Sequence, residues 1–154
     1  MLHIVLYQPE IPHNTGAVGR LCLATGARLH LIKPLGFSLD DKYLKRSGLD
    51  YWAEVDVRVW DSWEALHRAA GENVAFGFVE CQGSRPFWEG QFAADEEVYL
   101  VFGPETRGIP PALMAAYPDQ TWHIPMRGTR SLNLSTAVGI VLYEVVRQRG
   151  GLQP

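Results

Sequence analysis

Two loops in the second half of the chain combine glycines, prolines and charged residues in a way that could hold a small ligand. The loop FGPETRGIP (Phe102–Pro110) follows an apolar run, and MRGTRSLNLS (Met126–Ser135) follows the segment Thr121–Pro125. Glycine has no Cβ, so it lets a backbone or a ligand approach closely. Both loops leave the carboxyl ends of predicted strands, where α/β sheets place their ligands. The sequence therefore predicts a binding site formed by these two loops.

A third loop, NTGAVGR (Asn14–Arg20), follows the first predicted strand and opens a helix, as a dinucleotide-binding loop would. The fingerprint G-x-G-x-x-G needs glycine where this chain has Asn14, and the second strand should end in an acidic residue rather than in Lys33-Pro34. The loop FGPETRGIP lacks the Gly-Lys-Ser/Thr of a phosphate-binding loop. These mismatches argue against both kinds of nucleotide site, and so against a nicotinamide-dependent enzyme.

Metal and nucleophile chemistry also lack their usual patterns. The five histidines have no metal-ligand spacing, so we predict no metal site. Cys22 and Cys81 form neither a C-x-x-C pair nor a recognisable nucleophile setting, and G-x-S-x-G is absent. Two unpaired cysteines are typical of a reducing compartment, which predicts a cytoplasmic protein.

The composition predicts one ordinary globular domain spanning residues 1–154. Hydrophobic residues make up 47% of the chain and charged residues 20%, so neither disorder nor low complexity is indicated. The apolar start MLHIVLY lacks a basic lead-in and reads as a first strand, and no apolar run is long enough for a membrane span. The net charge of −3 taken alone argues against nucleic-acid binding. Basic residues recur in several loop segments, so one face of the protein could still be basic.

Alternating apolar runs and helical patterns place these loops in an α/β fold, a single parallel sheet sandwiched between helix layers. Runs such as VAFGFV and VYLVFG are continuously apolar, as expected of parallel strands covered on both faces. The predicted strands are Leu2–Tyr7, Arg28–Lys33, Val55–Trp60, Val74–Val79, Val98–Phe102 and Thr121–Pro125. The predicted helices are Thr15–Thr25, a short one at Asp40–Arg46, one that Asp61 caps with Glu64 completing a capping box, Pro110–Ala116, and one from Asn133 or Ser135 to Gly150-Gly151.

The last predicted helix is apolar nearly all round, from Ala137 to Val146. A helix on the surface would show a polar face, so this one should be buried on more than one side. Either it lies at the centre of the core, or it packs against a second subunit. The sequence alone leaves both alternatives open.

Three motifs together resemble those of the SPOUT class of RNA 2'-O-ribose methyltransferases. They are NTGAVGRL near the start, FGPETRGIP, and IPM followed by RSLNLSTAV, and their order and spacing match the class. The opening IVLYQPEIPHNTGAVGRLC and the segment GFSLDDKYLKRSGLDYW narrow the resemblance to the small single-domain TrmL type, from Met1 to about Arg149. One departure is the loop after Pro125, which is short at Arg127-Gly128-Thr129 and so leaves that loop's contacts open.

The resemblance implies a C-terminal trefoil knot, a homodimer, and S-adenosylmethionine as a methyl donor that leaves as S-adenosylhomocysteine. It also implies methylation of the ribose 2'-hydroxyl of the wobble nucleotide, cytidine 34 or uridine 34, in leucine tRNAs. Such a reaction is a direct displacement that needs in-line positioning and removal of the hydroxyl proton, and no metal.

The resemblance also assigns residues to the donor site. An apolar slot and a few hydrogen-bonding groups are expected to hold the donor: Val79, Gly103, Ile124, Met126, Ser131, Leu132 and Asn133. We further expect that a side chain at Gly103 would project into the space for the ligand.

Arg20 is the catalytic residue that the resemblance implies. A guanidinium cannot readily act as a base, so Arg20 is expected to orient the 2'-hydroxyl and the adjacent phosphate, while a substrate phosphate or water accepts the proton. Asn14 and Glu105 are expected to hold Arg20, since a carboxylate matches its fork.

Because each subunit has few basic residues, tRNA is expected to bind across both subunits. The basic residues expected to bind it are Arg20, Lys42, Lys45, Arg46 and Arg127. A non-catalytic RNA-binding module that keeps the knot is the competing hypothesis, against which the retained motif residues argue.

Overall fold

The computed structural model describes residues 1–40 and 50–153. Its strands are β1 (Leu2–Tyr7), β2 (Arg28–Ile32), β3 (Val57–Trp60), β4 (Val74–Val79), β5 (Arg85–Pro86), β6 (Glu97–Phe102) and β7 (Thr121–His123), and its helices are α1 (Pro12–Thr25), α2 (Trp63–Ala70), α3 (Pro111–Ala115) and α4 (Leu134–Gln148). Within these residues the seven strands form one sheet in the order β3-β2-β1-β6-β4-β7-β5, and all neighbouring strands are parallel. The predicted parallel α/β fold is confirmed.

Helices cover both faces of the sheet, which explains why its central strands are apolar without interruption. Successive side chains of a strand point to opposite faces, and both Ile4 and Val5 of β1 are fully buried. Ile4 belongs to the core under α1 and α4, whereas Val5 belongs to the core that Leu66 of α2 and Leu113 of α3 help to form. Each strand residue therefore has an apolar layer to face.

Most predicted elements are present, with shifted ends. α1 begins at Pro12 rather than Thr15, because proline suits the first turn of a helix. β3 begins at Val57 rather than Val55, and β7 ends at His123 rather than Pro125. The two-residue strand β5 was not predicted; its proline is tolerated because β5 is the edge of the sheet.

The predicted cap of α2 is wrong. Ser62, not Asp61, is the N-cap, and its side chain accepts a hydrogen bond of 3.1 Å from the amide of Ala65. Both serine and aspartate are favourable N-caps, so the sequence pattern could not separate two adjacent candidates. The helix predicted at Asp40–Arg46 lies outside the described residues, apart from Asp40.

One side of α4 is in the core and another is exposed. Val138, Val141 and Leu142 are buried against the sheet. Ile140 and Tyr143 remain exposed although both carry large apolar side chains. A single chain therefore accounts for only part of the apolar surface of this helix.

A chain of largely buried rings crosses the sheet from Trp60, the last residue of β3, through His30 in the middle of β2 to His3 near the start of β1. The indole N–H of Trp60 donates to Nδ1 of His30 at 2.9 Å, so in the neutral ring the proton of His30 is on Nε2. Nε2 of His30 then donates to Nδ1 of His3, also at 2.9 Å. Nε2 of His3 lies 3.4 Å from a carboxylate oxygen of Glu97, and the His3 ring stacks on Tyr99. Burial lowers the pKa of His30 to about 3, so this network holds the neutral imidazole.

Candidate functional site

A cavity of about 620 Å³ lies at the carboxyl ends of β4, β6 and β7. The loop after β6, the loop after β7 and the first turn of α1 surround it, so all three sequence motifs meet there. Its volume is in the range of sites for small molecules. Nine of the predicted site residues line its wall: Asn14, Val79, Gly103, Glu105, Ile124, Met126, Ser131, Leu132 and Asn133.

Two other predicted residues lie outside the cavity wall, and three fall outside the described residues. Arg20 lies on α1 outside the cavity wall, and Arg127 lies on the exposed part of the loop after β7. Lys42, Lys45 and Arg46 fall outside the described residues. The residues predicted for the donor site thus meet in one place, whereas Arg20 and Arg127, the described members of the predicted RNA-binding set, lie outside it.

Two of the exposed apolar side chains on the cavity wall come from the same loop. Met126 is 40% exposed and Leu132 is 39% exposed, and both come from the loop after β7. Half-exposed apolar side chains beside a few polar groups are typical of a small-molecule site, because a ligand removes them from water. The site suits a ligand with a partly apolar body.

The loop after β6 folds back on itself at Gly103, which corrects the expectation for that residue. A Cβ on Gly103 would lie 2.5 Å from the carbonyl carbon of Gly108 and from the amide nitrogen of Ile109. A side chain there would therefore collide with the loop's own backbone, not fill the ligand space. Gly108 has a φ of 73°, a left-handed conformation that favours glycine.

Glu80, which the sequence reasoning missed, holds this loop from the end of β4. One carboxylate oxygen accepts from the amide of Ile109 at 2.7 Å, and the other accepts from the amide of Cys81 at 3.0 Å. Ile109 is buried, so its amide needs such a partner. The sequence signal that could have identified Glu80 is its position directly after the buried run VAFGFV, at the edge of the sheet where ligands bind.

Two glutamates fasten the same loop to the segment before α1. Glu105 accepts from the amides of Glu10 at 2.8 Å and Ile11 at 3.3 Å. In return Glu10 accepts from the amide of Thr106 at 2.9 Å and from its hydroxyl. These bonds from Thr106 lower the pKa of Glu10. We call this reciprocal pair the Glu10–Glu105 clasp.

The expectation that Asn14 and Glu105 hold Arg20 is wrong for the described part of a single chain. Glu105 is bound to backbone amides in the clasp, and Asn14 accepts from the side chain of Asn133 at 3.0 Å. Arg20 follows Asn14 by six residues, which turns it roughly 120° away around the helix. Its guanidinium instead lies over the ring of Tyr51, 5.6 Å from the centroid. The Tyr51 hydroxyl in turn donates to the carbonyl of Gly16 at 2.7 Å.

Asn133 connects two of the motifs at the cavity. Besides its bond to Asn14, its Oδ1 accepts from the amides of Ser135 at 3.0 Å and Thr136 at 3.3 Å, as the N-cap of α4. One side chain thus fixes both the start of α4 and its distance from α1.

Residues 1–40 and 50–153 contain neither a metal-binding cluster nor a membrane-spanning helix. No group of three or more His, Cys, Asp or Glu side chains there is arranged to hold a metal ion. No helix in these ranges has the length and apolarity to cross a membrane.

Comparisons with known proteins agree with this arrangement of motifs. The model of the SpoU rRNA Methylase family matches residues 1–143. A tRNA (cytidine(34)-2'-O)-methyltransferase from Burkholderia pseudomallei is 48% identical over 97% of both chains. A solved structure described as giving structural insights into the 2-OH methylation of C/U34 on tRNA superposes on this chain with a TM-score of 0.89. The two sequences are 48% identical, and the match covers 99% of this chain and 98% of that one.

A more distant structure shows a bound cofactor. The SpoU methyltransferase AviRb from Streptomyces viridochromogenes, in complex with AdoMet, is 28% identical with a TM-score of 0.80, over 99% of this chain and 59% of that one. The family match over most of the chain and the close full-length relative agree, and the chain belongs to the SpoU rRNA methylase family.

Proposed function

We propose that this protein transfers a methyl group from S-adenosylmethionine to the ribose 2'-hydroxyl of nucleotide 34, cytidine or uridine, in leucine tRNAs in the cytoplasm. The proposal rests on one observation: residues of all three motifs line a single cavity at the carboxyl edge of the sheet. The relative from Burkholderia pseudomallei, named for this reaction at cytidine 34, supports the choice of nucleotide.

The cavity fits the donor by chemistry and size. S-adenosylmethionine supplies a methyl group on a sulfonium, and its adenosine needs both an apolar slot and hydrogen bonds. Met126 and Leu132 offer the apolar surface, Ile124 and Val79 extend it, and the backbone around Gly103 lines the same cavity with groups that can hydrogen-bond to the adenosine. Ser131 and Asn133 supply polar side chains on the same wall.

The transfer itself needs the acceptor hydroxyl in line with the donor methyl group. Arg20 orients the 2'-hydroxyl and the neighbouring phosphate, and a substrate phosphate or water takes the proton, because an arginine stays protonated. Since Arg20 points away from the cavity of its own chain, we propose that it serves an acceptor site that both subunits of a homodimer share.

The exposed apolar residues of α1 and α4 support that homodimer. Ile140 and Tyr143 of α4 and Leu23 of α1 are exposed, and a second copy would cover them. Sedimentation at micromolar concentration should give twice the 17.2 kDa of one chain. Ile140→Asp should give monomers, whereas Val59→Asp, equally exposed on the edge strand β3, should not. A wild-type monomer would contradict the homodimer.

We also propose that the chain carries the family's trefoil knot, with the C-terminal segment threaded through a loop. The support is the path of the chain: β7 pairs with β4, whereas α4 packs beside α1 over the cavity.

One experiment tests the activity. Unmodified leucine tRNA and a non-leucine tRNA are incubated with the protein and methyl-labelled donor, and the nucleosides are analysed. We expect labelled 2'-O-methylcytidine or 2'-O-methyluridine from position 34 of the leucine tRNA alone. Donor binding without methylation of any tRNA would favour a non-catalytic RNA-binding module, and labelling of a base would overturn the assigned reaction.

A further inference from the structure

Arg107 lines the cavity, but its guanidinium points to one end of it. Its Nη2 donates to Oε1 of Gln8 at 3.2 Å. Gln8 directly follows β1, whereas Val79 and Ile124 end β4 and directly follow β7, on the other side of β6. Arg107 therefore lies toward the end of the cavity that is remote from the apolar slot and close to α1.

The charge of Arg107 is not matched by an ion pair in the described parts of the chain, although it helps to lower the pKa of Glu10 after the two bonds from Thr106. Within the described parts of the chain, Arg107 forms no ion pair shorter than 4 Å, and its partner Gln8 is neutral. Glu105 is two residues away in sequence and Glu10 is bonded to Thr106, and both carboxylates accept backbone bonds in the clasp. An exposed guanidinium held in place but left unpaired is available to an external anion.

Gln8, which makes this contact, has a strained backbone conformation. Its φ is 50°, in the left-handed region that residues other than glycine seldom adopt. Its amide donates to the carbonyl of Ile32 at 2.9 Å, so the backbone is fixed on one side and the side chain on the other. Strain of this kind persists where the surroundings fix it, and it clusters at functional sites.

We propose that Arg107 binds a phosphate of the RNA next to the methylated ribose, and that Gln8 positions it. The proposal rests on the proposed function, because the acceptor is a polyanion. Phosphate contacts from arginine fix the register of a nucleic acid on a protein, and this one lies at the α1 end of the cavity. A free donor carboxylate would also match a guanidinium, and the experiment separates the two ligands.

The test measures donor and tRNA binding separately in Arg107→Ala. We expect the KM for tRNA to rise about tenfold, the range for one hydrogen bond to a charged group, and the donor Kd to change less than about twofold. The slope of log K for tRNA binding against log salt should fall by about one, as expected for one lost phosphate contact. Arg68→Ala removes an equal charge from the last turn of α2 and should change none of these values.

A second variant, Gln8→Gly, separates a positioning role of Gln8 from a purely structural role. Glycine accepts the φ of 50° without strain, so thermal stability should hold or rise. The KM for tRNA should still rise severalfold, because Arg107 loses its anchor. Lower stability with an unchanged KM would assign Gln8 to the fold alone.

Two outcomes would overturn the proposal for Arg107. A weaker donor Kd with unchanged tRNA binding would make Arg107 the donor carboxylate ligand, and no change in either would make it a solvated surface residue. Both outcomes are read from tRNA binding measured directly by fluorescence anisotropy, as well as from methylation. If the wild-type protein methylated no tRNA, the proposed function would fail, while the salt slope would still report on Arg107.

Discussion

The side-chain amide of Asn133 donates to Oδ1 of Asn14 at 3.0 Å, although 119 residues separate the two along the chain. Asn14 is buried in the first turn of α1, and Asn133 is the N-cap of α4. The bond therefore ties together the starts of two helices on one wall of the cavity. Because both residues line that wall, their contact sets its width.

We predict that Asn14→Ala and Asn133→Ser each raise the donor Kd severalfold. The double variant should bind no worse than either single one, because both changes remove the same contact. Asn133→Ala should cost about 1 kcal/mol more unfolding free energy than Asn133→Ser, since serine can still cap α4. Calorimetry and urea unfolding measure the two quantities, and additive effects on the Kd would show that the residues act independently.

Glu80→Ala should weaken donor binding at least about tenfold. The variant leaves the buried amide of Ile109 without an acceptor, which costs about 1–3 kcal/mol, and it frees the loop after β6. Glu72→Ala, an exposed glutamate before β4 at the opposite edge of the sheet, is the matched control. If calorimetry gave Glu80→Ala the wild-type Kd, the loop would not need this anchor.

Arg20→Ala should separate donor binding from catalysis. The donor Kd should stay near the wild-type value, because Arg20 lies outside the cavity wall. Single-turnover methylation at saturating tRNA should slow by about 100-fold or more, the range for loss of a positioned catalytic group. Arg20→Lys should recover little, since a point charge does not reproduce the planar fork. A wild-type rate in Arg20→Ala would rule out the assignment.

The buried ring chain predicts how stability depends on pH. Burial first, and then the charges of His3, Arg28 and Arg58, lower the pKa of His30 to about 3, although Asp56 raises it, against about 6.5 when unfolded. Between these values the unfolded chain binds the extra proton, so stability is present above about pH 6.5 and is lost as the pH falls toward 3. The ionisable groups around His30 are His3, Arg28, Asp56, Arg58 and, through His3, Glu97.

His30→Gln tests this origin. The urea midpoints at pH 7.5 and 4.5 should differ less in the variant than in the wild type. The variant lacks the imidazole of His30, which is protonated in the unfolded chain but not in the folded protein. The exposed residue His13, changed to glutamine, should leave the wild-type difference in place. An equal difference in His30→Gln and the wild type would assign the pH dependence to other groups.

The site residues that the sequence predicted correctly as neighbours all belong to contiguous motifs beside strand ends. Ile124, Met126 and Ser131 follow one strand, so the position of that strand in the sheet brings them together. What the sequence could not provide are pairings between distant carboxylates and amides, such as Glu80 with Ile109 or Glu105 with Glu10. Any acidic residue can accept from any free amide, so no local pattern selects the partner.

Two errors have the same physical origin. The expectation for Gly103 considered only ligand space, whereas the loop's own backbone fills the position of a Cβ. The expectation for Arg20 joined it to Asn14 of its own motif and to Glu105 of another, but Asn14 and Arg20 do not share a face of the helix, and Glu105 is bound to backbone amides. Spacing in sequence locates a motif, and the helix or turn that contains it decides which side chains meet.

The Glu10–Glu105 clasp determines when the loop after β6 loses its conformational entropy. Each glutamate accepts from the backbone of the other's segment, so neither segment can move until both pairs of bonds break. The loop is therefore ordered when the chain folds, and the ligand need not order it on binding. The heat-capacity change of donor binding should then match the apolar surface buried in the cavity, with no contribution from loop folding.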